Sequence, residues 1–463
     1  MPRTRIDNAR PRRRAGAVCG CEAFESRQLL AAAPALVAVD TTYGSGGRLD
    51  LPLGAADTAV DASGKLLAAG YFGAPESRSG ALWRFNPDGS PDPTFNRGGL
   101  ATLAGVGPDS GLEWNAVLPL PDGAIVVAGK QRQQLTDGTQ RERPVLARYN
   151  ADGTLDKSFG GEGDDDGVLL PAGGTSDGMI ADLARLADGR ILAGGNVVDQ
   201  PPDDFYDVAL WRFNADGTPD ATFGAGGFRQ QDVEAEDYLR AVAAAPDGSF
   251  FINDQHGVFA FKADGTLRGR VSDPAAFHGV VAPTPDGKFV VATVVLGGTD
   301  SNPRFTTTVR RYLADGTPDP GFGSGPGGGT TLAIGERGDV AAAVAVLPGS
   351  GTLVAAGSLE ENYAQHSTLV RLAPDGALDS AFGVNGVFTE PFLGGAGPLL
   401  PLAGGRLLIV GRRWTGRTPR RPPAKRSSRT SSTPASSWMP AAPTARSGRA
   451  GSSKSPAPGP PRG

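Results

Sequence analysis

The chain has 463 residues, with 68 Gly, 39 Pro and only 7% aromatic residues. That composition describes short strands joined by tight turns and excludes a mainly helical chain or a collagen, since there is no Gly-X-Y period. The formal charge of -4 averages three unlike parts: residues 1–30 hold seven Arg and three acids, residues 31–411 hold 26 basic and 46 acidic side chains, and residues 412–463 hold twelve basic and no acidic ones. The middle part, at 26 minus 46 or -20, is a poor electrostatic match for nucleic acid or an anionic membrane face.

Taken in order, the chain opens with a basic arm (Arg3, Arg5, Arg10, Arg12, Arg13, Arg14) and then an apolar run from Leu29 to Val39. Eleven apolar residues are too few to span a bilayer and suit the core of an export signal. FESRQLLAA, from Phe24 to Ala32, resembles the LEPR-type motif of many planctomycete cell-surface and exported proteins, departing from it at Ser26, where the motif has Pro. Residues 1–40 are therefore expected to be a leader and export segment, with the remainder at the cell surface, in the periplasm or outside the cell. Cys19 and Cys21 both lie in that leader, so the fold needs no disulfide.

From Ala81 a unit appears that returns along the chain: ALWRFNPDGSPDPTFNRGG, then near copies from Val145, Ala209, Thr308 and Thr368, and a weaker one from Gly257. Its DG aspartates are Asp88, Asp152, Asp216, Asp264, Asp315 and Asp375, at spacings of 64, 64, 48, 51 and 60 residues. Between copies lie shorter runs around a second turn, such as NAVLPLPDGAIVVAG from Asn115 and DLARLADGRILAGG from Asp182. β-rich runs flanking Asp-Gly are hairpin signals, because these turns need positive φ. Each period thus predicts about four strands, and radial repetition of such units disposes of exposed sheet edges. The expected fold is all-β: a β-propeller of about seven four-stranded blades over residues 41–411, six full repeats plus an incomplete seventh, between disordered termini. An open β-solenoid is the alternative. The chain enters at TTYGSGGRLDL, Thr41 to Leu51, which matches the FGxGG end of a repeat, and leaves after Gly404–Gly411 without another RxNxDG half. The Pro/Ser-rich basic tail of residues 412–463 has no apolar period. A frameshift that replaced the last repeat element explains where it begins.

Four residues before each marker stand Arg84, Arg148, Arg212, Ala260, Arg311 and Arg371, and four after it Asp92, Asp156, Asp220, Arg268, Asp319 and Asp379. Arg and Asp are present together in five repeats and missing together in the fourth, which predicts a charge-assisted pair clamping the turn within a blade. Degeneration of the fourth repeat as a whole explains the same loss. Phe95, Phe159, Phe223, Phe322 and Phe382, seven after the marker, and the aromatics Phe85, Tyr149, Phe213, Phe261 and Tyr312, three before it, are expected to form core between blades. The NxDGxxD spacing places Asp88, Asp152 and Asp216 as candidate calcium ligands, but the turn lacks the later bidentate carboxylate of a calcium loop, and Asx turns explain the same residues. No cofactor is expected. Asp164–Asp166 form a further acidic run. His256, His278 and His366 fall in different repeats, and no nucleophile, CxxC or phosphate-loop motif is present.

The unit (A/L)xRxNxDGxxDxxFGxxG followed by AVxxxPDGxIxVAG is similar to the delta-60 repeat family of bacterial exported and surface proteins, over residues 41–411. The resemblance implies a propeller-like β architecture and no particular reaction. Two functions stay open. One is a non-enzymatic exported scaffold, monomeric and without a membrane span, that binds a protein or glycan through the variable loops Gln131–Arg143, Val198–Asp207 and Gly297–Phe305. The other is a hydrolase or lyase of extracellular polysaccharide with acids gathered at the propeller channel.

Overall fold

The computed structural model describes residues 41–413 apart from 46–47, 53, 74–77, 106–109, 135–138, 161–166, 173–176, 199–205, 234–236, 255, 272–275, 300–301, 326–327, 336–337, 348–350, 360–364, 391–392 and 403–405. The leader with its cysteines and FESRQLLAA motif, the tail beyond Arg413 and the run Asp164–Asp166 lie outside the described residues.

Among the described residues there are 26 strands and no helix. Blade one is β1 (Ala55–Val60), β2 (Leu66–Phe72), β3 (Ser79–Phe85) and β4 (Leu100–Leu103). Blade two is β5 (Ser110–Pro119), β6 (Ile125–Gln134), β7 (Gln140–Tyr149) and β8 (Val168–Leu169). Blade three is β9 (Gly178–Arg185), β10 (Ile191–Val198), β11 (Tyr206–Phe213) and β12 (Phe228–Gln231), and blade four is β13 (Ala241–Ala244), β14 (Phe250–Asn253), β15 (Val258–Phe261) and β16 (Leu267–Arg270). Blade five is β17 (Ala276–Pro283), β18 (Phe289–Thr299), β19 (Asn302–Tyr312) and β20 (Gly329–Leu332). Blade six is β21 (Gly338–Leu347), β22 (Gly351–Leu359), β23 (Gln365–Leu372) and β24 (Val387–Glu390), and blade seven has β25 (Leu393–Pro401) and β26 (Leu407–Arg413). Within each blade the strands pair antiparallel in chain order, while one parallel pairing, Phe305 with Gly338, links the sheets of blades five and six.

The repeated Asp-Gly turns hold this order. Gly89, Gly153, Gly217, Gly265, Gly316 and Gly376 all adopt φ of 81–89°, where a side chain would be strained. Because the strands alternate in direction, both turns of a period lie on one face, and the second-to-third-strand hairpins lie on the other with the connections between blades. Three expected loops are hairpin extensions on that second face. Gln131–Gln134 pair with Gln140–Arg143, Gly297–Thr299 pair with Asn302–Arg304, and Val198 pairs with Tyr206.

Seven apolar seams join the blades. Leu67 and Leu82 of blade one meet Leu112, Val127 and Tyr149 of blade two; Val126 and Leu146 of blade two meet Ile191 and Phe213 of blade three. The series continues through Phe223 with Phe250 and Phe261, Phe251 with Phe289 and Tyr312, and Val290 with Val354 and Leu372. It reaches blade seven through Ala345, Leu369 and Phe382 against Leu399 and Ile409, and returns to blade one through Leu400 and Leu408 against Leu66, Trp83 and Phe85. The first strands also touch in an unbroken ring: β1, β5, β9, β13, β17, β21, β25 and β1 again. This closure is a propeller's and rules out the open solenoid. Residues 48–51 form no ladder with another strand among the described residues. Arg48 makes one bridge to Gly44, and Leu49 and Leu51 pack half-buried on the last seam.

Candidate functional site: the clamped turns and the hairpin face

On the turn face the repeated Arg does three things at once. In blade three, Arg212 Nε donates to Asp220 Oδ2 at 2.6 Å, the guanidinium lies 4.5 Å from the centroid of the Phe223 ring, and Nη1 donates to the Ala263 carbonyl of blade four at 2.5 Å. Arg84 does the same with Asp92 (2.7 Å), Phe95 (4.4 Å) and the Ala151 carbonyl (2.6 Å). Arg148 does so with Asp156 (2.6 Å), Phe159 (5.0 Å) and Ala215 (2.7 Å), and Arg311 with Asp319 (2.7 Å), Phe322 (4.9 Å) and Pro374 (2.6 Å). Arg371 joins Asp379 at 2.7 Å and lies over Phe382 at 4.8 Å. The pair is thus a latch between blades as well as a clamp within one. Sequence spacing hid this, because the acceptor is a backbone carbonyl of the next repeat.

The fourth repeat has not lost the latch. Arg268, standing where the Asp is expected, sends Nη1 to the Ala314 carbonyl of blade five at 2.8 Å, and Val271 takes the place of the Phe against Gly316. A charge moved along the turn accordingly replaces the pair, which corrects the reading of that repeat as simply degenerate. Elsewhere the aromatic seven after the marker lies on the next blade's turn glycine: a Cβ on Gly153, Gly217 or Gly376 would approach Phe95, Phe159 or Phe322 to 2.8–2.9 Å. Phe95, Phe159, Phe223, Phe322 and Phe382 are all buried, as are Phe85, Tyr149, Phe213, Phe261 and Tyr312 on the opposite side of their blades.

Burial works to raise the clamped carboxyls, and hydrogen bonds outweigh it. Lys65, Thr94 and Arg84 hold Asp92 well below the usual carboxylate range, and Thr222, Arg190 and Arg212 hold Asp220 there. The marker aspartates Asp88, Asp152 and Asp216 stand on the turns of three successive blades and are not brought together. The Oδ1 of each accepts the backbone N–H and the hydroxyl of Ser90, Thr154 and Thr218 respectively at 2.6–2.9 Å. The histidines stand ahead of β15 and in β17 and β23, in three different blades.

Two carboxylates that carry no repeat signature occupy the innermost strands. Asp57 and Asp182 each follow a bulge in the first strand of their blade, the device that re-aims a side chain. Asp57 accepts from Thr58 N–H and, across the seam, from Val117 N–H at 2.9 Å; Asp182 accepts from Leu183 N–H and from Val242 N–H at 2.8 Å. Both touch water only in part. Desolvation raises Asp57 to about 6, and desolvation with repulsion from Asp57 raises Asp182 to about 7. An Asp in the first strand of a blade was their only sequence signal, and their shifts come from enclosure, which spacing does not reveal.

The hairpin face carries residues that break the repeat. Arg78 binds Glu113 Oε1 at 2.5 Å, Arg132 joins Glu142 at 2.8 Å, and Lys130 joins Glu142 at 2.9 Å. The Glu142 N–H donates to Asp177 at 2.8 Å. Tyr206 lies within the field of Glu142 and Asp177, and its ring centroid is 5.0 Å from that of the 36% exposed Tyr238. Beside them the carboxylates of Asp207, Asp232 and Asp237 lie within 4.8 Å of one another. Asp207 accepts from Gln230 at 2.7 Å and Asp237 from Val233 N–H at 2.9 Å.

A closed ring of antiparallel blades, six of them four-stranded and the seventh with two strands among the described residues, latched on one face and variable on the other, defines a β-propeller repeat protein. Residues 62–95, 120–159, 186–223, 284–322 and 349–382 match the family described as "Domain of unknown function (DUF5122) beta-propeller". Each matched segment ends on the repeat Phe, and the fourth repeat lies between matches. No curated protein matches the sequence. Among solved structures the chain is similar to the Hadza microbial sialidase Hz136 at 12% identity and a TM-score of 0.39, over 69% of this chain and 63% of that one, so it spans less than two thirds of the sialidase's length. It is also similar to a protein of unknown function from Dyadobacter fermentans (12%, 0.38, 68% and 93%) and to an α-L-arabinanase of Penicillium chrysogenum (14%, 0.36, 65% and 87%). At these scores the likenesses carry no argument about activity.

Two outcomes are expected. In urea unfolding, a double-mutant cycle on Arg212→Ala and Asp220→Ala gives a coupling of about 1–3 kcal/mol, because both side chains are buried. The more exposed Arg371–Asp379 pair gives less than about 1 kcal/mol, and additive losses at Arg212 and Asp220 would refute direct pairing. The raised carboxyls set a pH slope: a folded pKa above the unfolded one favours the protonated fold, so this stability is full below about pH 4 and is lost as pH rises towards about 7. Melting temperature should fall across that window in the natural protein. The double variant Asp57→Asn, Asp182→Asn should flatten the fall, and an unchanged slope would show that the two groups do not titrate as described.

Proposed function

We propose that this protein is a non-enzymatic, exported interaction scaffold, and that its hairpin face over blades two to four binds a protein or glycan ligand. The observation that carries the reading is the run from the Arg132–Glu142–Lys130 cluster to the Tyr206–Tyr238 pair. These side chains stand where the repeat imposes nothing, on lengthened second-to-third-strand hairpins and, for Tyr238, on the connection between blades three and four, whereas the repeated carboxylates are occupied by clamps and turns. Charged groups beside a pair of tilted aromatic rings offer both hydrogen bonding and an apolar surface, which suits a sugar ring or a loop of mixed polarity. The basic arm and apolar run of residues 1–40 support export.

The hydrolase or lyase reading is favoured by one observation, the raised Asp57 and Asp182 on the innermost strands. Each already accepts two backbone N–H bonds, one from its own strand and one from the neighbouring blade, a structural use that suits the scaffold as well.

Screening the full chain against an array of bacterial surface glycans and exported proteins separates the two. The scaffold reading expects a ligand that Tyr206→Ala and Tyr238→Ala each weaken by about tenfold, with melting temperature unchanged and the ligand recovered intact. Polysaccharide cleavage that is abolished by Asp57→Asn or Asp182→Asn would contradict it.

A further inference from the structure

In all six complete blades the second strand lies between the first and the third. Blade seven departs from this: among the described residues β26 pairs with β25 alone in a two-stranded sheet. The consequence is visible in burial. Leu66–Ala69, Ile125–Ala128, Ile191–Gly194 and Phe289–Ala292 are buried throughout, whereas the equivalent Leu407–Val410 are only half-buried.

The blade is otherwise assembled. Leu400 and Leu408 reach blade one, and Leu49 and Leu51 pack there from the start of the chain. Gly44 N–H donates to the Asp88 carbonyl at 2.6 Å, as Asn96, Gly160 and Gly323 donate to the marker carbonyls of Asp152, Asp216 and Asp375. Tyr43 lies 3.4 Å from the Cβ position of Gly89, the place of the repeat Phe. One element is wanting among the described residues, the third strand.

Two further features point to that slot. The Tyr43 hydroxyl is buried without a hydrogen-bond partner. Arg371 meets Asp379, and the turn to which its equivalents latch would belong to the wanting strand. In sequence, residues 414–463 follow β26 directly and contain no RxNxDG element.

We propose that blade seven is an acceptor site for one extended strand between β26 and residues 48–51, and that its occupant is a segment of the repeat's own chemistry, xRFNxDGxxDxxF, supplied by another repeat chain. Backbone groups along the β26 edge would give affinity by strand addition. Side chains would give selectivity. The Arg of the incoming strand would clamp to its own Asp and latch to the Pro87 carbonyl of blade one, the position held by the Ala151, Ala215 and Ala263 carbonyls in the next three blades. This site is separate from the hairpin face and does not depend on it.

The probe is a labelled peptide with the sequence ALWRFNADGTPDATF of Ala209–Phe223, titrated into the full chain by fluorescence anisotropy, with hydrogen exchange read over β26. Saturable binding with one peptide per chain is expected, with slower exchange at Leu407–Arg413 and a higher melting temperature. A peptide carrying Arg212→Ala and Asp220→Ala should bind at least about tenfold more weakly. No binding, binding that leaves exchange in β26 unchanged, or equal affinity of the altered peptide would each overturn the proposal.

Discussion

The structure depends on one guanidinium per blade. An arginine on a third strand is held by the aspartate eight residues on, stacks on the phenylalanine three further, and donates to a carbonyl of the neighbouring blade. The aspartate fixes the side chain in one rotamer, so little entropy is lost when the outward N–H bonds form. The ring beneath excludes water, which strengthens the ion pair and seals the apolar seam with one residue. In the fourth repeat Arg268 reaches the same carbonyl from the aspartate's position. The constraint therefore falls on the contact between blades, and the residue that makes it is free to move.

A propeller latched in this way has two unequal faces. The turn face is a set of short, cross-connected loops whose polar groups already have partners. On the hairpin face, lengthening β6–β7 or β18–β19 only extends a two-stranded ladder and disturbs no seam. Insertions are tolerated there, and there the sequence departs furthest from its own repeat. Ligand recognition belongs on such a surface, because it can vary without loosening the ring.

The fold was legible because the period is written in residues with strict geometric needs. Asp-Gly at the turns, β-rich runs on either side and a returning Phe-Gly together specify hairpins, blades and their number. Three features were not legible. Gln131–Arg143 and Gly297–Phe305 read as loops because polar and Gly-containing runs resemble turns, yet the ladder continues into them as far as the Gln134–Gln140 and Thr299–Asn302 pairs, since an exposed hairpin needs no apolar alternation. The latch was hidden because its acceptor is a backbone atom, which no side-chain pattern records. Asp57 and Asp182 were missed because their environment is made by four blades meeting, whereas the acids that dominate the sequence pattern, Asp92 and Asp220, have the opposite electrostatic character.

Residue-resolved amide hydrogen exchange on the natural protein and on Arg148→Ala tests the latch most directly. Arg148 binds the Ala215 carbonyl at the turn of blade three, beside the Gly160 N–H that donates to the Asp216 carbonyl at 2.9 Å. Loss of the guanidinium should speed exchange at Gly160 and at the Asn214–Thr218 turn by about tenfold or more, with β10 and β11 still protected. Unchanged exchange at that turn, or a uniform rise across the whole ring, would contradict an inter-blade latch carried by the arginine.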